Sequence, residues 1–317
     1  MTSAGPRPAA GRMDGREFGV LRTRLRDAAW AEGEANARGA LAHLTPERIV
    51  AAATEVRYGR AVSLAAPIET RPGPDNPDPV CHWMTGPLSA GGRPEGLQFA
   101  TDRFAMNVHG DADSHLDALC HVLFDGRLYA GVSADSVTGE GAHALTLDLV
   151  ANGIVGRGVL LDIPRLRGVA WLEPGEAVTA DDLTAAETAQ GVRVGPGDVL
   201  LVRVGHRRRR SEHGAWNAAQ ERAGLHPLAL EFLADRDVAV LGGDGNNDAA
   251  PSPVEGIDFP VHALAMQAMG VHLLDYLSFE GLAPVCAETG RWSFLCVIAP
   301  LRLPAATGSP VNPIAVL

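Results

Sequence analysis

The sequence predicts one α/β domain with an N-terminal helical arm. Short apolar runs alternate with helical stretches after residue 155, and helical periodicity marks the first sixty residues. No repeat and no linker separates two cores. The expected division is an arm over residues 1–60, partly disordered and then helical, and a domain over 61–317.

Taken in order, residues 1–12 are rich in Pro, Gly and Ala and are expected to be disordered. From Glu17 to about Glu32 the residues Phe18, Leu21, Leu25 and Ala29 share one side of a helix. Thr45 as N-cap with Pro46 behind it opens a second helix, running to about Arg57. Residues 71–80 carry four prolines and read as an extended loop. Gly158–Ile163, Asp198–Val204 and Asp237–Gly242 are apolar runs expected as buried strands. Thr179, with Asp182 three positions on, caps a helix to about Gln190. His226-Pro227 opens another that ends near Asp235, and Phe294–Ala299 is a late strand.

Composition narrows the chemistry. The chain has 317 residues, 46% hydrophobic and 21% charged, an ordinary composition for a soluble globular protein. All 27 basic residues are arginine, which excludes a Schiff-base lysine and the phosphate lysines of P-loops and kinases. A net charge of −11 argues against nucleic-acid binding, and Arg207–Arg210 is expected to be a solvated surface loop. The cysteines Cys81, Cys120, Cys286 and Cys296 form no C-x-x-C pair, so reduced thiols in a cytoplasmic protein are expected. No apolar signal core and no run of about 18 apolar residues is present, which disfavours secretion and membrane spanning.

Residues 108–121, VHGDADSHLDALCH, carry the chemistry. Read as a strand, they place His109, Asp111, Asp113, His115 and Asp117 on one face. So many ionisable groups on one face would repel unless a cation joined them, and carboxylate and imidazole both coordinate divalent metals. A helix starting near Asp117 would bring His121 to the same point.

The run Ser114-His115-Leu116-Asp117-Ala118-Leu119-Cys120-His121 resembles the metal-binding stretch of the cyclase family, which includes bacterial kynurenine formamidase and isatin hydrolase. Its signature is commonly written H-x-G-T-H-x-D-x-P-x-H. The similarity runs on through Gly153–Asp162, Pro196-Gly197-Asp198, Gly242–Asp248, Pro260-Val261-His262, Gly270–Asp275 and Gly308–Pro313. It implies a swivelling β/β/α fold, a homodimer or homotetramer, and one or two divalent ions, Zn or Mn. It also implies that His115 and Asp117 are metal ligands and that His121 is a second-site ligand or the acid/base histidine. His262 matches the family's later histidine, and Asp275 falls where many members have glutamate. Where the signature has its first histidine, this chain has Asp111, and His109 lies two residues earlier. Either could complete the site, and the resemblance favours His109.

Other residues are expected to be structural. His272 falls on the face opposite Asp275, Cys120 is read as a buried thiol, and His226 is a helix cap or a pocket-mouth residue. His82 beside Trp83 is a candidate pocket wall, and Asp244 and Asp248 flank a Gly-Asn-Asn loop. The expected activity is hydrolysis of a small cyclic or acyl amide, or a lactone, by metal-activated water. His121 would move the proton, and His262 would hold a second ion or stabilise the oxyanion. The alternatives are a metal-dependent cyclase or dehydratase of secondary metabolism, and an inactive metal-binding protein.

Overall fold

The computed structural model describes residues 11–30, 35–86, 96–97 and 99–317. Most of the N-terminal stretch expected to be disordered lies outside them.

The strands used below are β1 (Ala61–Ser63), β2 (Cys81–Met84), β3 (Asp102–Ala105), β4 (His115–Asp117), β5 (Ile154–Asp162), β6 (Val199–Arg203), β7 (Val240–Gly243), β8 (His272–Asp275), β9 (Ser293–Ile298), β10 (Gly308–Pro310) and β11 (Ile314–Val316). All but β2 and β3 form one mixed nine-stranded sheet in the order β1-β11-β9-β5-β6-β7-β8-β4-β10. The four central strands β5 to β8 run parallel, and antiparallel strands flank them on both sides. This is the α/β fold the sequence predicts.

Apolar residues dominate the parallel strands because both faces are covered, with Arg157, Asp162, Arg203, His272 and Asp275 the exceptions. Val159, Leu161, Leu200, Val202, Leu241 and Leu273 join one core cluster. Their neighbours Leu160, Val199, Leu201, Val240 and Leu274 join the other. Each such side chain stabilises the fold by about 1.5–3 kcal/mol on burial.

Helix α1 (Gly15–Ala29) starts on a capping box: Asp14 accepts from the Arg16 and Glu17 amides, and Glu17 accepts from the Asp14 amide. Its buried stripe is Phe18, Leu21 and Leu25, and it packs against Leu230–Ala234 and Ala263–Ala268. The indole of Trp30 closes the helix by donating to the Ala268 carbonyl at 3.1 Å. Helix α2 (Pro46–Ala53) is capped by Thr45 as expected but stops four residues short of Arg57, in a turn closed by the Thr54 and Glu55 amides. Helix α3 (Ala180–Gln190) carries the predicted Thr179–Asp182 capping box. His226 caps the next helical run, its Nδ1 accepting from the Leu228 amide.

The expectation of a solvated loop at Arg207–Arg210 is overturned. These residues lie in helix α4 (His206–His213). Arg207 is largely sequestered and donates to the carbonyls of Ala112, Tyr276 and Leu277. Arg210 pairs with Asp75 at 2.5 Å, and Arg209 stacks on Trp216. Carbonyls and carboxylates supplied by distant segments meet the charge of Arg207, Arg209 and Arg210, while Arg208 stays exposed and pairs with Glu212 one turn on. Among the described residues, no helix is long and apolar enough to cross a membrane.

Candidate metal centre

The site lies at the C-terminal ends of parallel strands β7 and β8, where open α/β sheets bind ligands, with β4 alongside. β4 pairs with β8 so that His115 stands opposite Asp275, and with β10 so that Asp117 stands opposite Gly308.

The long strand predicted over 108–117 is corrected: the strand covers His115–Asp117 alone, and the residues before it form turns. Short polar side chains there bond to other segments instead of sharing a face. Asp113 turns away and accepts from the Glu69 amide at 2.9 Å. Asp111 accepts from the Tyr276 hydroxyl at 2.7 Å and is not brought into the cluster of candidate ligands. The helix predicted after Asp117 is replaced by a turn closed by the His121 amide on the Ala118 carbonyl. His121 still reaches the site, because its ring stacks on His109 with centroids 3.6 Å apart.

Two triads of ligand atoms share Asp117, each spanning no more than 4.8 Å: His109–His115–Asp117 and Asp117–His262–Asp275. Asp117 is fully buried. Its Oδ1 faces His109 Nδ1 at 2.8 Å and His115 Nε2 at 3.6 Å. Its Oδ2 faces His262 Nε2 at 3.7 Å and has no hydrogen-bond partner among the described residues. A buried carboxylate oxygen left unpaired is costly unless something cationic meets it.

Each histidine is oriented from behind. His115 Nδ1 lies 2.8 Å from the Asp113 carbonyl, an acceptor only, so Nδ1 carries the proton and the Nε2 lone pair faces Asp117. His262 Nδ1 lies 2.6 Å from Asp248 Oδ2, which leaves its Nε2 toward Asp117 and Asp275. A ring nitrogen tied to a carbonyl or carboxylate is the usual support of a metal-ligating histidine. His109 Nε2 lies 3.0 Å from Thr307 Oγ1. Gly308 permits this approach: a Cβ there would lie 2.6 Å from His109 Cε1. Asp275 accepts from the Asn247 and Asn246 amides at 2.5 and 2.9 Å, which fixes its plane. The donor set of imidazoles and carboxylates suits a divalent ion such as Zn or Mn.

The electrostatics follow from this packing. Burial alone would raise the Asp117 carboxyl, but the His109 hydrogen bond and the nearby His115 and His121 hold it below the usual carboxylate range. Burial works against a charged His262, yet Asp275 and the Asp248 hydrogen bond raise it well above the usual histidine range. Burial pushes His121 down to about 4, with Asp117 working against it.

Asp248 plays a larger part than a turn residue. Besides His262, its carboxylate accepts from the Val261 and His262 amides and so caps the Pro260 helix start. Asn246, Asn247 and Thr307 were not singled out by the sequence reading. The GGDGNND run was the visible signal for the first two; Thr307 had none beyond its place before Gly308. Asp244 points elsewhere and accepts from the Val204 and Gly205 amides; burial pushes it up to about 6. His82 pairs with Asp102 across the exposed β2–β3 hairpin. Cys120 is buried as expected, which pushes its thiol up to about 11. His272 is wholly buried, and neither ring nitrogen has a hydrogen-bond partner among the described residues.

Comparison with known proteins agrees with this fold. The family model described as "Putative cyclase" matches residues 61–247. A crystal structure of a novel cyclase shares 31% identity with a TM-score of 0.79, covering 90% of this chain and 96% of its own. An isatin hydrolase bound to the product analogue thioisatinate shares the fold at 18% identity and a TM-score of 0.58, over 84% of this chain and 94% of its own. A predicted metal-dependent hydrolase from Bacillus stearothermophilus does so at 19% and 0.52, over 81% and 97%. No curated protein matches the chain.

Proposed function

The chain belongs to the cyclase family, and on that premise we propose that it is a metal-dependent hydrolase opening a small cyclic or acyl amide, or a lactone. The observation that carries this reading is Asp117. Two histidines anchored through Nδ1, His115 and His262, face its opposite oxygens, and one of those oxygens is buried without a partner.

His109, His115 and Asp117 would hold one divalent ion, Zn or Mn, and Asp117, His262 and Asp275 a second. Bound there, such an ion supplies Lewis-acid polarisation of a carbonyl and a lower pKa for water. The remaining work falls to side chains. Burial keeps His121 neutral at pH 7, so it is free to accept a proton and return it to the leaving group. Its stack on His109 sets the plane of the ring. His262, expected either to hold an ion or to stabilise an oxyanion, is assigned to the ion because its Nε2 faces two carboxylates.

The description of the 31% identical structure as a cyclase favours a second reading, ring closure with loss of water. One experiment separates the two. The protein is stripped with chelator, reloaded with zinc or manganese, and assayed on amides and lactones in ¹⁸O-labelled water. Metal-dependent products carrying one labelled oxygen support hydrolysis. Metal-dependent products that have lost water support the cyclase reading, and no turnover across the panel overturns both.

A further inference from the structure

Between His109 and His115 the chain is bolted down residue by residue. The Ala112 carbonyl accepts from Arg207, Asp113 accepts from the Glu69 amide, and Ser114 Oγ donates to the Tyr276 carbonyl at 2.7 Å. Asp111 is the exception. It is half-buried, and the Tyr276 hydroxyl is its one hydrogen-bond donor among the described residues, through Oδ1. Its Oδ2 has no hydrogen-bond partner among the described residues, and in the chain it lies between the candidate ligands His109 and His115.

Tyr276 is an expensive way to hold a carboxylate. It is wholly buried, and its φ of 53° is in the left-handed region that a bulky residue rarely adopts. Its amide donates to the Gly245 carbonyl and its own carbonyl accepts from Ser114 and Arg207, so the surroundings over-determine it. Its ring stands between His115 and His206, with centroids at 6.4 and 5.4 Å. The result is a fixed acceptor beside the candidate metal cluster that belongs to neither triad.

We propose that Asp111, positioned by Tyr276, is a substrate-binding residue whose free oxygen accepts a hydrogen bond from an N–H of the substrate. The site would then select amides with a free N–H over isosteres that lack it. This rests on the metal-hydrolase reading for the nature of the substrate. A group that pairs with an N–H rejects the analogue lacking it, because the analogue displaces water from the half-buried acceptor and leaves it unpaired.

The test uses binding, so that it does not depend on turnover. Dissociation constants of δ-valerolactam, its N-methyl derivative and cyclohexanone are measured by calorimetry on the purified full chain, with metal content recorded. One hydrogen bond to a charged acceptor predicts that wild type binds the lactam about 10–100-fold more tightly than either analogue. Asp111→Ala should abolish that ratio and leave metal content unchanged. Tyr276→Phe should shrink it, and Asp111→Asn, which keeps an acceptor oxygen, should retain part of it. Equal binding of the three probes by wild type, no binding of any, an unchanged ratio in Asp111→Ala, or metal loss in that variant would each overturn the proposal. Discrimination without any metal-dependent turnover would sink the hydrolase reading and leave the N–H selection standing. Turnover without discrimination would do the reverse.

Discussion

On the Oδ1 side of Asp117 the partners are local, and one of the two, His109, is partly open while His115 is buried. His109 and His115 come from the same short stretch, and the His109 side chain keeps 20% of its surface exposed. On the Oδ2 side they are distant and sealed. His262 follows β7 by a long connection, Asp275 ends β8, and their side chains are 7% and 1% exposed. The open side is held by one threonine hydroxyl and one backbone carbonyl. The sealed side is held by the Asp248 carboxylate and two asparagine amides. The chain thus builds one half of its candidate centre from sequence proximity and the other from sheet topology, and it places more support where water is excluded.

The comparison breaks most completely at the shared residue. Asp117→Asn removes the charge that both triads face. Metal measured by elemental analysis should fall to background, and turnover should drop by more than the roughly 10–100-fold typical of a change behind the ligands. Asp275→Ala and His109→Ala separate the two sides by stability. The first leaves the buried Asn246 amide without an acceptor and takes one of two from Asn247, which keeps the Leu274 carbonyl, at about 1–3 kcal/mol for the orphaned amide. The second, at a partly open site, should cost less than half as much by urea unfolding.

The supports should differ in the same direction. Asp248→Asn removes the charge behind His262 and one of three accepted hydrogen bonds. Metal affinity by chelator competition should fall roughly 10–100-fold. Thr307→Val, on the open side, should stay at or below the bottom of that range. The smallest effect concerns a histidine with no partner. His272 has a folded pKa near 4, depressed by burial, against an unfolded value of about 6.5. The unfolded chain therefore takes up a proton the folded chain resists, and stability falls as pH drops from about 6.5 toward 4. His272→Leu should stabilise the protein more at pH 5 than at pH 8, and equal gains in urea melts would contradict this.

Legibility in the sequence follows the same division. The strands β5, β6 and β7 were readable because their apolar runs are dictated by burial on both faces, and β9 because it is apolar with one fully buried face. The α2 and α3 starts were readable from caps that act within three residues, and α1 from the apolar stripe of Phe18, Leu21 and Leu25. His115 and Asp117 were readable because alternation on a strand is local. The turns over residues 107–114 were not, since the partners that bend them, Tyr276, Arg207 and the Glu69 amide, come from elsewhere in the chain. The arginine run failed for the same reason. His262 and Asp275 entered only through resemblance to a family, because nothing in their local sequence announces that β8 lies beside β4.

The most direct test is anomalous diffraction from crystals of the full chain grown with zinc or manganese. The expected result is an anomalous peak between Asp117 Oδ2, His262 Nε2 and Asp275, with or without a second peak at His109 and His115. No peak at Asp117, or ions bound only at sites away from it, would contradict the assignment of this carboxylate as the centre of the site.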